Sequence, residues 1–129
     1  MSPVTPGGVS RRILVADDDP DGAETLAVML RSNGHEVRVA GDGLATLEVA
    51  NDFRPQVVLL DLGMPGMDGY QIARRLRQMD GLDKSLLVAL TGYGRDLDRQ
   101  RAYDAGFDVF LVKPASPKVL CEIVMQSRH

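Results

Sequence analysis

A single cysteine, Cys121, and no tryptophan occur in the 129 residues. One thiol cannot close an internal disulfide, and on an apolar helical face Cys121 reads as a small core side chain without a redox role. No uninterrupted apolar stretch approaches the ~20 residues of a membrane span, and the first residues lack the basic start and apolar centre of a leader. A soluble, cytoplasmic protein is expected. Net positive charge is also lacking: 15 Lys and Arg against 18 Asp and Glu leave a charge of -3, with a pI near 5.3. That balance offers no general basic field for nucleic acid or an anionic membrane, and direct contact with either is not expected. Room for a second domain is missing too, since a chain this long suits one domain that buries roughly two-thirds of its unfolded surface.

What is present is a regular alternation. Residues 1–10, with Pro3, Pro6, Gly7 and Gly8, have no periodicity and read as a flexible lead-in or linker, and residues 11–129 read as the domain. Apolar runs at 13–16, 57–60, 86–90 and 109–112 are short and unbroken, the pattern of central or near-central strands buried on both faces. Residues 35–40 alternate instead, with Val37 and Val39 on one side and Glu36 and Arg38 on the other, as an edge strand does.

Helical patterns fill the gaps. Asp19 can cap a first helix with Pro20 at its first position; Ala23, Leu26, Ala27 and Leu30 then share a face, and Asn33-Gly34 ends it. Asp42 can cap a second with Leu44 and Leu47 inward, and Asp68 or Gly69 begins a third carrying Ile72, Ala73, Leu76 and Met79. Residues 97–105, ending at Gly106, form a fourth. Ser116 and Pro117 open a fifth whose apolar face is Val119, Leu120, Ile123 and Val124. Five strand–helix alternations imply an α/β fold: a doubly wound parallel sheet with helices on both faces. The order 2-1-3-4-5 puts the alternating second strand at an edge, as its pattern requires.

Such sheets bind ligands outside the carboxyl ends of their strands. Asp17, Asp18 and Asp19 end the first strand, Asp61 the third, Thr91-Gly92 the fourth and Lys113-Pro114 the fifth. Carboxylates gathered in one cleft repel one another, and a hard divalent cation with oxygen ligands relieves them. Mg2+ suits best, because it keeps waters and takes one or two carboxylates together with phosphate oxygens. Asp61 can then act as a nucleophile toward phosphorus, with Lys113 as a second cation and Thr91 as a hydrogen-bond donor to the equatorial oxygens. Asp19, followed by Pro20, reads as a helix cap and is left out of the metal set. Met64 and Met67, in the turn 64–69, read as packing residues.

The segments ILVADDDP (13–20), VLLDLGMPGMDG (58–69), ALTG (89–92) and LVKP (111–114) resemble, in order and spacing, the four signature segments of bacterial two-component receiver domains of the chemotaxis-regulator type. The resemblance covers about residues 11–127 and implies a flavodoxin-like fold. It implies that Asp17, Asp18, Asp61 and the Gly63 carbonyl hold Mg2+, that Asp61 is phosphorylated, and that Thr91 and Lys113 contact the phosphoryl group. It implies a cis bond before Pro114. A histidine kinase or histidine phosphotransfer protein would be the donor and a downstream protein the recipient, with a homodimer allowed. Thr91 and Phe110 would form the switch, and the surface of the fourth helix, fifth strand and fifth helix would carry the output. Phe110 stands where many members have a tyrosine, so a hydroxyl latch is not expected. Gly63 and Tyr93 sit where the family varies phosphoryl lifetime. The run ALTGYG followed by AGFDVFLVKP is similar to receivers attached to hybrid sensor histidine kinases.

Three other readings compete. The haloacid-dehalogenase-type phosphatases also use an aspartyl nucleophile with magnesium, and Asp17-Asp18-Asp19 contains an Asp-x-Asp. Their motif wants Thr or Val where Asp21 stands, however, and Asp61 is left unexplained. A nucleotide-binding turn at Gly41-Asp42-Gly43 has Thr46 in place of the third glycine. A constitutive interaction platform would not need the complete Asp, Asp, Thr and Lys set. A phosphorylation-dependent switch, not an enzyme acting on a separate substrate, is therefore expected.

Overall fold

The computed structural model describes residues 10–64, 68–92 and 96–126. In chain order the elements are β1 (Arg12–Ala16), α1 (Pro20–Ser32), β2 (Glu36–Ala40), α2 (Gly43–Phe53), β3 (Val57–Asp61), α3 (Gly69–Gln78), β4 (Leu86–Thr91), α4 (Asp96–Ala105), β5 (Val109–Val112) and α5 (Pro117–Met125). The strands make one parallel sheet in the order β2-β1-β3-β4-β5. The expected architecture and topology are those observed. The lead-in over residues 1–9, Met67 of the 64–69 turn, and Tyr93 lie outside the described residues.

Alternation along the strands splits the core into two layers. Leu14, Val58, Leu60, Leu87, Ala89 and Phe110 pack with Ala50 of α2, Ile72 and Leu76 of α3 and Ala102 of α4. On the opposite face, Ile13, Val15, Val57, Leu59 and Val88 pack with Ala23, Ala27 and Leu30 of α1 and Leu120, Ile123 and Val124 of α5. β3 lies between β1 and β4, and every one of its residues is buried, Asp61 included.

Start signals behave as the sequence suggests. The Asp19, Asp42 and Asp68 side chains accept hydrogen bonds from the backbone N–H groups of Asp21, Ala45 and Tyr70, supplying partners that the first helical turns lack. Gly34 and Gly106, with φ of 94° and 111°, follow the ends of α1 and α4 in the left-handed region that glycine adopts at no steric cost. The peptide before Pro114 is cis.

Four expectations need correction. Leu44 is not inward but 63% exposed. With Asp42 as cap, the buried stripe of α2 is Gly43, Thr46, Ala50 and Phe53, which turns Leu44 to solvent and leaves Leu47 at the margin. Val119 is likewise 39% exposed, because Leu120, Ile123 and Val124 alone face the sheet. The unbroken run of β5 belongs to an edge strand, in which only Phe110 is buried. Cys121 is half-buried rather than core, and its sulfur lies 3.1 Å from the Asn33 amide nitrogen, which donates to it.

His35 ties the start of β1 to the entry of β2. Its Nδ1 accepts the Arg11 N–H at 3.0 Å, and burial, followed by the Arg11 charge, holds its pKa below the ordinary histidine value. The folded state thus prefers neutral His35, and stability from this group is present above the unfolded pKa and lost as pH falls through the folded one. Denaturant midpoints should drop as pH is lowered below about 6.5, by at most ~1.4 kcal/mol per unit from this proton, and His35→Gln should flatten that slope. An unchanged slope in the variant would remove His35 as its cause.

Candidate functional site

β1 connects through α1 to β2 on one side, while its other neighbour, β3, leads to α3 on the opposite layer. Diverging connections leave a crevice beyond the carboxyl ends of β1 and β3. Into it the chain sends Asp17 and Asp18, directly after β1, and Asp61, the last residue of β3. One oxygen from each carboxylate lies within 4.8 Å of the others. Asp61 is only 6% exposed. Its Oδ1 accepts the Gly63 N–H at 2.8 Å, and its Oδ2 accepts from Lys113 Nζ at 2.8 Å. Lys113 also approaches Asp17 Oδ2 at 3.9 Å.

These neighbours set the charge states. Burial raises the Asp17 pKa, as does the nearby Asp61; the Asp19 N–H on Asp17 and the Lys113 charge pull the other way without cancelling it. For Lys113, burial works against the charged form, but the hydrogen bond to Asp61 and the charges of Asp61, Asp17 and Asp18 outweigh it and raise the ammonium pKa. One cation therefore faces three acids, and the cleft has spare negative charge.

Asp19 is engaged elsewhere: it caps α1, and its own N–H donates to Asp17 Oδ1 at 3.0 Å. Thr91 is buried at the end of β4, one residue past Leu90, which is the register partner of Asp61, and its carbonyl accepts the Lys113 N–H at 2.7 Å. The β5 backbone thereby holds Lys113 against the crevice. A Cβ built on Gly63 would stand 3.3 Å from Asp61 Oδ1, so glycine keeps the approach to that carboxylate open. Phe110 is farther down β5, paired with Ala89, on the sheet face that Ala89 and Thr91 share. What sequence reasoning missed is Arg99, whose guanidinium carbon sits 5.0 Å from the Phe110 ring centroid. Nothing in the local pattern of α4 signals that contact.

Residues 13–125 match the sequence model of the response regulator receiver domain. The chain belongs to this family. The DNA-binding response regulator MtrA of Mycolicibacterium smegmatis is 41% identical over 110 residues, which are 85% of this chain and 47% of that protein. This receiver domain therefore spans about half the length of that relative. An uncharacterized 14.6 kDa protein of Leptolyngbya boryana is 38% identical over 114 residues, 88% of this chain and 87% of its own. Among solved structures, chemotaxis response regulator CheY4 of Vibrio cholerae gives a TM-score of 0.85 at 25% identity, covering 92% of this chain and 99% of that one. The receiver domain of the sensor histidine kinase PA1611 from Pseudomonas aeruginosa, solved with a magnesium ion coordinated in its active site cleft, gives 0.82 at 28% identity, covering 92% and 98%.

Membership places this domain among the signalling switches of two-component systems and sets aside the phosphatase reading of Asp17-Asp18-Asp19. The nucleotide-binding reading of Gly41-Asp42-Gly43 also loses its footing, since Asp42 is committed to capping α2 and β2 is an edge strand. No helix among the described residues is long and apolar enough to cross a membrane.

Proposed function

We propose that this receiver domain accepts a phosphoryl group on Asp61 from a phosphohistidine of a histidine kinase or histidine phosphotransfer protein, and that the modified state alters a surface read by a downstream protein. The observation that carries this reading is the Asp61 carboxylate, buried at the end of the central strand yet held by Gly63 and Lys113 beside two further acids. An all-oxygen, net-negative donor set suits Mg2+, with Asp17, Asp18, Asp61 and the Gly63 carbonyl as the groups that would hold it. Bound there, the ion supplies positive charge to the phosphoryl oxygens as transfer proceeds.

The chain's own residues do the rest. An Asp61 oxygen forms the new bond to phosphorus as the phosphorus–nitrogen bond of the donor breaks, and the electron pair stays on the imidazole. The Gly63 N–H and Lys113 orient that carboxylate, and Lys113 then neutralises charge on the acquired phosphoryl group. Thr91 gains a hydrogen-bond acceptor in the same group. Attack by water on the aspartyl phosphate returns the domain to its resting state. The domain itself needs no nucleic acid: with a net charge of -3, DNA binding of the kind named for the mycobacterial relative fits the part of that protein beyond the matched half.

Output leaves through Thr91 and Phe110. Phosphorylation adds roughly one to two negative charges and three acceptor oxygens, which favour a position of Thr91 closer to Asp61. Phe110 is the large side chain placed to occupy the space so opened, and its ring carries Arg99 of α4 with it. Beryllofluoride, a phosphoryl mimic, should shift the NMR signals of Thr91, Phe110 and α4 as well as those around Asp61. Changes confined to the loops bearing Asp17, Asp61 and Gly63 would defeat this route.

A further inference from the structure

Two neighbouring helices on one layer carry charges of opposite sign only. α2 has Glu48 and Asp52 and no base; α3 has Arg74, Arg75 and Arg77 and no acid. They lie side by side. Arg77 is used internally, donating to the carbonyls of Gly106 and Ser85 and to the Asp108 carboxylate, and Asp52 pairs with Arg38 of β2. Among the described residues Glu48, Arg74 and Arg75 are exposed and have no ion pair. A hollow of about 340 Å³ lies between the side chains of Gln71, Arg74, Arg75 and Gln78, and on α2 the 63%-exposed Leu44 stands one turn before Glu48.

An acidic strip beside a basic strip is complementary to itself when rotated by two-fold symmetry. An axis running along the seam between the helices sets α2 of one copy against α3 of the other, with both pointing the same way, and makes each contact twice. Glu48 and Arg74 hold the same ordinal position counted from the capped starts at Gly43 and Gly69. We propose that this receiver domain self-associates through its α2–α3 face, with Glu48 of each copy pairing with Arg74 of the other.

The face is small. Helices of 11 and 10 residues present a strip ~16 Å long and ~20 Å wide, well below the ~800 Å² per partner of a standard stable interface. The association is therefore weak, salt-sensitive and visible only at high concentration. It depends on neither Asp61 nor its modification, so loss of phosphorylation leaves it untouched.

Analytical ultracentrifugation of the whole chain, from micromolar to millimolar at low and high salt, tests it. The weight-average mass of the wild type should rise toward twice the monomer at low salt and return to the monomer at high salt. Glu48→Arg and Arg74→Glu should each hold the mass at monomer, and the double variant should restore the rise; both positions are exposed, and unchanged thermal melts confirm folding. A monomer throughout, a rise that survives either single reversal, or a double variant that stays monomeric overturns the proposal. So does a rise abolished by Val119→Asp on α5 but not by Glu48→Arg.

Discussion

Asp61→Asn should reduce phosphoryl labelling of the domain by acetyl phosphate, or by a phosphohistidine donor, to background, while the wild type labels only when magnesium is supplied. The side chain keeps its size, so no cavity opens at the end of β3. Its amide oxygen can still accept the Gly63 N–H, now made at 2.8 Å to Oδ1. What disappears is the charged oxygen nucleophile and the partner of Lys113, whose ammonium stands 2.8 Å from Oδ2. A neutral amide oxygen cannot carry a phosphoryl group as a stable acyl phosphate. The loss therefore reports chemistry rather than unfolding, which circular dichroism of the variant checks. Label that persists undiminished, or that maps to Asp17 on peptide analysis, would sink the assignment. Migration to Asp17 in particular would return the phosphatase-like reading, because Asp17 heads the Asp-x-Asp of residues 17–19.

The strands, their order and the residues at their carboxyl ends were readable from the sequence because each rests on a local signal with a direct physical cause. Unbroken apolar runs mark buried strands, the alternation around Val37 and Val39 marks β2 as an edge, and Asp caps mark helix starts. Parallel topology then forces Asp17, Asp18, Asp61, Thr91 and Lys113 to one end of the sheet. The errors came where one signal has two meanings. A four-residue apolar run looks the same in a central strand and in β5, whose outer edge has no neighbouring strand among the described residues. Leucine on a helix suggests burial, yet Leu44 lies off the stripe that the Asp42 cap sets. Contacts distant in sequence left no signal at all. Arg99 over Phe110 and Arg77 reaching Ser85, Gly106 and Asp108 depend on how α3 and α4 lie against β4 and β5.

Removal of the Asp17 charge should weaken magnesium binding about tenfold or more while leaving the metal-free domain at least as stable at neutral pH. The second half follows from the sign of the Asp17 shift. Its pKa is raised in the folded state, by burial first and also by Asp61, so folding favours the protonated form. Stability from such a group is complete below the unfolded pKa and is lost as pH rises through the folded one. At neutral pH the charged carboxylate is thus a cost that Asp17→Asn removes, and the amide oxygen can still accept the Asp19 N–H made to Oδ1. A bound cation reverses the balance, because two positive charges then face Asp17, Asp18 and Asp61. For a site of roughly millimolar affinity, about 10 mM magnesium adds ~1.4 kcal/mol to wild-type stability, and a tenfold weaker site only ~0.4 kcal/mol. Melting curves with and without magnesium read both effects in one experiment. The wild type should show the larger shift and the variant the higher or equal metal-free midpoint. Equal magnesium shifts in Asp17→Asn, Asp18→Asn and the wild type would make these acids solvated loop residues and leave Asp61 without a metal partner from β1.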